Sequence, residues 1–281
     1  MDLNVFLAVL GAALCHAAWN AGLKLRGDPA VATTILAIAG GVVALPFGLV
    51  TGLPGTASWP WLAVSIVLHL GYFAALAEAY RAGDLGQVYP IARGTAPLIT
   101  MAGSVLLFRE PISGQVLAGI LLLTSGVLLL SLRGFASLTT LGRRAVGFAF
   151  LTAAIIAAYT LVDGRGARLS GNPHAYAVAF FVANGLAMGA VGLLRHRADL
   201  RAAVSIGWIV PLGGGVLSFI SYWVALWAMT KAPIAVVAAV RETSVLFAAA
   251  IGVLFLKEPL VPARIVAAIL VMGGLVLIRL H

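Results

Sequence analysis

The sequence predicts an all-α integral membrane protein whose ten transmembrane helices form two inverted five-helix repeats. Three observations predict it. The chain of 281 residues is 62% hydrophobic and only 10% charged, with a mean hydropathy of +1.08, whereas a soluble domain carries about 25% charged residues. Apolar runs of about 20 residues, long enough to cross a bilayer, recur along its whole length. A stretch of the first half also returns in the second at a constant spacing.

The first run, MDLNVFLAVLGAALCHAAWNAG, has the length of a secretory leader but no basic segment before its apolar core. Leu14 stands before Cys15, where a lipoprotein leader wants a small residue. It is therefore read as the first span, roughly 3–23. RGDP separates it from the second at 30–52, TGLPGTASWP leads to the third at 59–80, and RAGD to the fourth at 85–107. REP precedes the fifth at 113–132, and RGFASLTTLGRR the sixth at 144–162. DGRGARLSGNP, RHRADLRAA, KAP and KEP then introduce the spans at 174–194, 207–229, 233–256 and 261–280. Glycine, proline and charged clusters are the usual breakers. Backbone polar groups in lipid need internal partners, so the spans are helices. They are too long and too uniformly apolar for barrel strands.

The net charge of +9 lies in short connections, not in a basic patch interleaved with aromatics, so no nucleic-acid partner is expected. Connections after the odd-numbered spans hold eleven Lys and Arg (Lys24, Arg26, Arg81, Arg133, Arg143, Arg144, Arg195, Arg197, Arg201, Lys257, Arg264). The other side holds five (Arg109, Arg165, Arg168, Lys231, Arg279). The positive-inside rule places the eleven in the cytoplasm and both termini outside. One cysteine, Cys15, leaves no internal disulfide and no multi-cysteine metal site.

YPIARGTAPLITMAGSVLLFREP and VAAVRETSVLFAAAIGVLFLKEP align at a shift of 148 residues, placing Arg93 on Arg241, Thr95 on Thr243, Glu110 on Glu258 and Pro111 on Pro259. AAWNAG at 17–22 is echoed by AAYTLV at 157–162. Five spans per half, an odd number, turn the second copy upside down. Inverted repeats of this kind mark many secondary transporters, which bind cargo near the midplane between the copies. The halves are set at 1–137 and 138–281.

On these ten spans, on LFREP and LFLKEP closing the fourth span of each half, and on YPIARGTAP and AYTLVDGRGARLSGN, the chain resembles the EamA-like members of the drug/metabolite transporter superfamily. The resemblance implies a central cavity between the halves, alternating access and the inner membrane of a bacterium. It does not set the substrate.

Arg93 lies eight residues into its span, roughly 12 Å deep at 1.5 Å per residue, and Arg241 sits at matching depth. A mid-bilayer arginine costs about 2.5–3.5 kcal/mol on insertion scales, so both need a partner, a wet cavity, or both. A guanidinium suits carboxylate or phosphate, which points to anionic or zwitterionic cargo. The other reading is a structural pair with Glu242, Glu78 or freed carbonyls. Pro90 and Pro97 flank Arg93, withhold two N–H donors and predict a kinked, cavity-lining helix.

Polar residues inside spans face the bundle interior. Tyr89 shares a face with Arg93, Pro97, Thr100 and Ser104, and the first span carries His16, Trp19, Asn20 and Lys24. The sixth carries Thr152, Tyr159 and Asp163, the third His69 and Tyr72, the eighth Ser218 and Tyr222. The expected substrate site is Arg93, Arg241, Tyr89, Trp19, Asn20, Tyr72, Tyr159 and Tyr222. Glu242, the carboxylate at midplane depth, and His69 are the proton-coupling candidates. Glu110 and Glu258, in tight loops before prolines, are read as structural.

No phosphate loop, zinc-protease motif or nucleophile elbow occurs, and the five histidines match no metal pattern. No cofactor, metal or catalysis is expected. The function expected is alternating-access transport of a small polar metabolite, an amino acid or related organic anion, with proton-coupled export as one mode. The rivals are a flippase for a lipid-linked polar headgroup and an intramembrane enzyme built on His69 and Glu242.

Overall fold

In the computed structural model every regular element is helical among the described residues, which are 1–23, 29–82, 85–131, 142–195, 197–200, 208–257 and 261–280. Lys24, Arg26, Arg133, Arg201 and Glu258 lie outside them. Tyr80, Arg81, Tyr89 and Pro90 are described by their backbone alone. The order is α1 (Leu3–Leu23), α2 (Pro29–Thr51), a 3₁₀ turn (Thr56–Ser58), α3 (Trp59–Ala82), α4 (Leu85–Phe108) and α5 (Gly114–Ser131). There follow α6 (Arg143–Leu169), α7 (Pro173–Arg195), α8 (Ile209–Met229), α9 (Ile234–Arg241), α10 (Ser244–Leu256) and α11 (Pro262–Arg279). Among the described residues nine stretches are long and apolar enough to cross a membrane, with α9 and α10 forming one of them; Gly114–Leu129 is a shorter apolar helix.

Sequence chemistry sets the ends. Pro29, Pro173 and Pro262 open helices, where a missing N–H costs nothing. Arg109 and Lys257, equivalent positions of the repeat, end α4 and α10 with φ of 52° and 54°. In both, the reversed turn leads directly into Glu-Pro, which cannot continue the helix. Large apolar side chains such as Leu49, Leu106, Leu194 and Ile209 point outward, exposed by 78% or more, as lipid contact requires.

The packing pairs α5 with α11, α2 with α7, α3 with α6 and α1 with α8, while α4 packs on α6 and α5. Close crossings rest on missing side chains. A Cβ on Gly274 of α11 would stand 2.6 Å from the Gly119 carbonyl oxygen of α5, and one on Gly185 of α7 would stand 2.9 Å from the Ala37 carbonyl of α2. Small residues let helices approach this closely in lipid.

Two expectations are corrected. The sixth span does not stop near 162; α6 continues to Leu169, so Asp163 and Arg168 are helical. Glycines there admit neighbours instead of breaking the helix: Tyr176 lies over Gly166, and Ile234 against Gly164. The ninth span, expected to be one helix, is interrupted at Glu242–Thr243, whereas α4 runs unbroken through Pro90 and Pro97. At the interruption the N–H groups of Glu242 and Thr243 bond three residues back, to Ala239 (3.0 Å) and Val240 (3.1 Å). The Thr243 hydroxyl also takes the Val240 carbonyl at 2.7 Å. Tight 3₁₀ bonding and a competing hydroxyl break the α ladder without a proline.

Candidate functional site

α1, α4, α6 and α9 enclose a cavity of about 40 Å³ lined by His16, Arg93, Pro97, Thr100, Tyr159, Arg241 and Glu242, with smaller residues between them. That is room for roughly three waters at 10–15 Å³ each. Anything larger must spread the surrounding helices.

Its charges are organised around the interruption of the ninth span. Arg93 Nε stands 3.1 Å from Glu242 Oε2, with side chains only 10% and 9% exposed. A second guanidinium nitrogen of Arg93 donates to the Ser244 hydroxyl at 3.2 Å. Glu242 and Ser244 flank Thr243, so the break in the ladder is what turns both toward Arg93. Arg241, which also lines the cavity, places its guanidinium 5.0 Å from the centre of the Tyr222 ring, a cation–π contact. The cavity thus holds two guanidiniums and one carboxylate.

An aromatic layer lies beside it. His69 packs its ring 4.2 Å from Tyr159 and 4.7 Å from Phe180, and Tyr72 meets Tyr159 at 6.0 Å. His69 Nδ1 is 2.9 Å from its own Ser65 carbonyl. His16 lines the cavity and meets Trp19 edge-on at 4.9 Å. The Trp19 indole N–H is buried and has no hydrogen-bond partner among the described residues. Buried donors are rarely left so.

Of the expected site residues, Arg93, Arg241, Tyr159, Glu242 and Pro97 line the cavity, Trp19 sits directly behind His16, and Tyr72, His69 and Tyr222 form the adjoining layer. Asn20 does not join them: its amide donates to the His16 carbonyl of its own helix at 2.9 Å. Glu78 pairs with Arg144 at 3.6 Å, away from the arginines of the cavity. Glu242 is paired with Arg93, while His69 packs in the aromatic layer.

Asp163 was absent from the expected site. It is fully buried, accepting the Tyr176 hydroxyl at 2.9 Å and the Tyr222 hydroxyl at 2.5 Å. Tyr222 thereby links Asp163 to Arg241. The signal was available: Asp163 lies one helical turn after Tyr159 on the same stripe, but the glycines that follow it suggested a loop.

Comparison with known proteins follows the same division of the chain. The EamA-like transporter family matches residues 3–132 and again 143–280. The uncharacterized protein PA1977 of Pseudomonas aeruginosa is 32% identical over 271 residues, covering 94% of this chain and 88% of its own length. A protein of the same species described as "Probable 4-amino-4-deoxy-L-arabinose-phosphoundecaprenol flippase subunit ArnE" is 39% identical over 72 residues, which is 26% of this chain and 60% of that one. A solved crystal structure superimposes with a TM-score of 0.77 over 98% of this chain and 95% of its own, at 19% identity, a likeness of fold alone.

Proposed function

Because both halves of this chain belong to the EamA-like transporter family, and membrane transport is the activity this implies, we propose that it is a secondary transporter of a small polar metabolite. The cargo is an amino acid or related organic anion, moved by alternating access between two inverted five-helix halves, 1–137 and 138–281, in a bacterial inner membrane. The observation that carries the reading is the cavity where α1 and α4 of one half meet α6 and α9 of the other, holding Arg93, Arg241 and Glu242.

The packing supports two like halves related by a pseudo-two-fold exchange. Exchanging the first five spans for the last five turns the α3–α6 contact into α8–α1, maps α2–α7 and α5–α11 onto themselves, and carries α4–α6 onto the contacts of α1 with α9 and α10. The matched left-handed turns at Arg109 and Lys257 support it too.

In this mechanism the acid group of the cargo replaces Glu242 at Arg93, and Arg241 takes the second carboxylate oxygen. A guanidinium fork suits that exchange, because each partner is a planar anion. Glu242, displaced from Arg93, is the group that takes up or releases a proton, which couples cargo to protons. Trp19 supplies the donor it now holds unused, and Tyr159 and the His69 layer shape the space. The test is uptake by proteoliposomes of the purified protein, driven by an imposed proton gradient, with amino acids, organic anions and sugar phosphates as cargo. Gradient-driven uptake of an acid-bearing, water-soluble cargo supports the reading. The Glu242→Gln protein should still exchange cargo across the membrane yet lose its response to the proton gradient; an unchanged response refutes the coupling role.

A second reading, a flippase for a lipid-linked polar headgroup, rests on the partial match to the ArnE protein. It gains weight if no soluble cargo moves and a lipid-linked sugar does.

A further inference from the structure

Glu110, in a tight loop before Pro111, was read as structural. The structure it serves joins the two halves. Its carboxylate accepts the backbone N–H of Ile234 at 2.9 Å and the hydroxyl of Ser104, and meets the Arg168 guanidinium at 2.5 Å. Arg168 in turn donates to the Met229 carbonyl at 2.8 Å and the Ala232 carbonyl at 3.0 Å. Glu110 belongs to the first half, and every partner but Ser104 to the second. It is buried, 8% exposed.

The residue it holds is packed between the two halves. Ile234 begins α9 and is fully buried, its side chain seated on Gly164 of α6, where a Cβ would stand 2.6 Å from Ile234 Cδ1. Gly164 lies four residues beyond Thr160, which lines the cavity. Ile234 and Gly164 thus pack one helical turn from the cavity, toward the side on which the α4–α5 and α6–α7 connections lie. Withdrawing Ile234 means freeing the N-terminus of α9, and Glu110 bonds the first N–H of that helix. The anion at a helix start also suits the local dipole.

We propose that Glu110 and Arg168 are positioning residues that form the latch holding the cavity shut toward the α4–α5 side, and that their contact parts whenever that side opens. This rests on reading the cavity as the transport site. Neither residue touches cargo; both act through Ile234.

The test uses full-length protein in proteoliposomes, with the lone cysteine removed (Cys15→Ser) and Thr100, in the cavity wall, replaced (Thr100→Cys). A membrane-impermeant thiol reagent is applied from each side in turn. Glu110→Gln keeps an acceptor for the Ile234 N–H but loses the ion pair; Arg168→Gln removes it from the other partner. Both should raise the modification rate from the α4–α5 side about tenfold or more, in line with a shifted open population, with little change from the other side. Ala44→Cys, at the fully buried α2–α7 contact, reports general loosening and should stay protected. No rise, an equal rise from both sides, or exposure of Ala44→Cys overturns the latch. Labelling needs no cargo, so a failed transport reading shows separately, as absent uptake with the labelling pattern intact.

Discussion

Arg93 and Arg241 are repeat partners, yet they are held differently, and their variants should differ accordingly. Arg93 is paired with Glu242 in a buried setting. Removing one member of such a pair costs about 3–5 kcal/mol, so Arg93→Ala should lose both transport and thermal stability in detergent. Arg241 lies against Tyr222, a contact of about 0.5–2 kcal/mol, so Arg241→Ala should melt close to wild type while transport collapses. Equal melting shifts for the two would contradict this. Trp19 gives a cleaner separation. Its N–H bonds nothing among the described residues, so Trp19→Phe should leave the melting temperature unchanged and raise the apparent KM, by about threefold to tenfold for one neutral hydrogen bond. A lowered melting temperature with unchanged KM would assign the indole to packing instead. Depth and repeat position made Arg93, Arg241, Glu242 and Tyr159 legible as one site in the sequence. Asp163 was legible as an inward-facing residue of the Tyr159 stripe but not by its partners, which come from α7 and α8, 13 and 59 residues away.

Helices were legible wherever lipid dictates them, since twenty apolar residues in a row have one solution. Boundaries failed where charge and glycine suggested solvent. The segment from Asp163 to Arg168 reads as a loop when each residue is judged alone; α6 carries it as helix because Asp163 finds two hydroxyls, Arg168 finds Glu110, and the glycines receive Tyr176 and Ile234. The interruption of the ninth span was not foreseen for a related reason. Prolines in α4 suggest a kink there, and α4 is continuous through them, whereas the ninth span is interrupted by 3₁₀ bonding around Glu242 and Thr243. The crossing of α5 and α11 gives a sharp test at this scale. A Cβ on Gly274 would meet backbone at 2.6 Å, whereas one on Gly273 would meet only the tip of Leu122, at 3.1 Å. Gly274→Val should therefore lower the melting temperature or abolish folded protein, and Gly273→Val should be tolerated. Similar losses from both would mean that the crossing is looser than described.

At the level of the molecule, the proposed ten-span repeat and the charge bias together predict that both termini lie outside, since an even number of spans returns the chain to the side on which it began. Impermeant labelling of tags at each end of the protein in intact cells should modify both; labelling of one alone would contradict a ten-span arrangement. The halves meet along the α2–α7 and α5–α11 contacts and across the cavity, so the site exists only where they are joined. The central claim is that this cavity receives the acid group of a soluble cargo between two guanidiniums. The most direct measurement is the uptake rate of the cargo by proteoliposomes carrying wild-type or Arg241→Ala protein, at equal folded content. The account predicts a loss of roughly 10- to 150-fold, the value of about 1.5–3 kcal/mol for a hydrogen bond to a charged group. Wild-type uptake by the folded Arg241→Ala protein would contradict it.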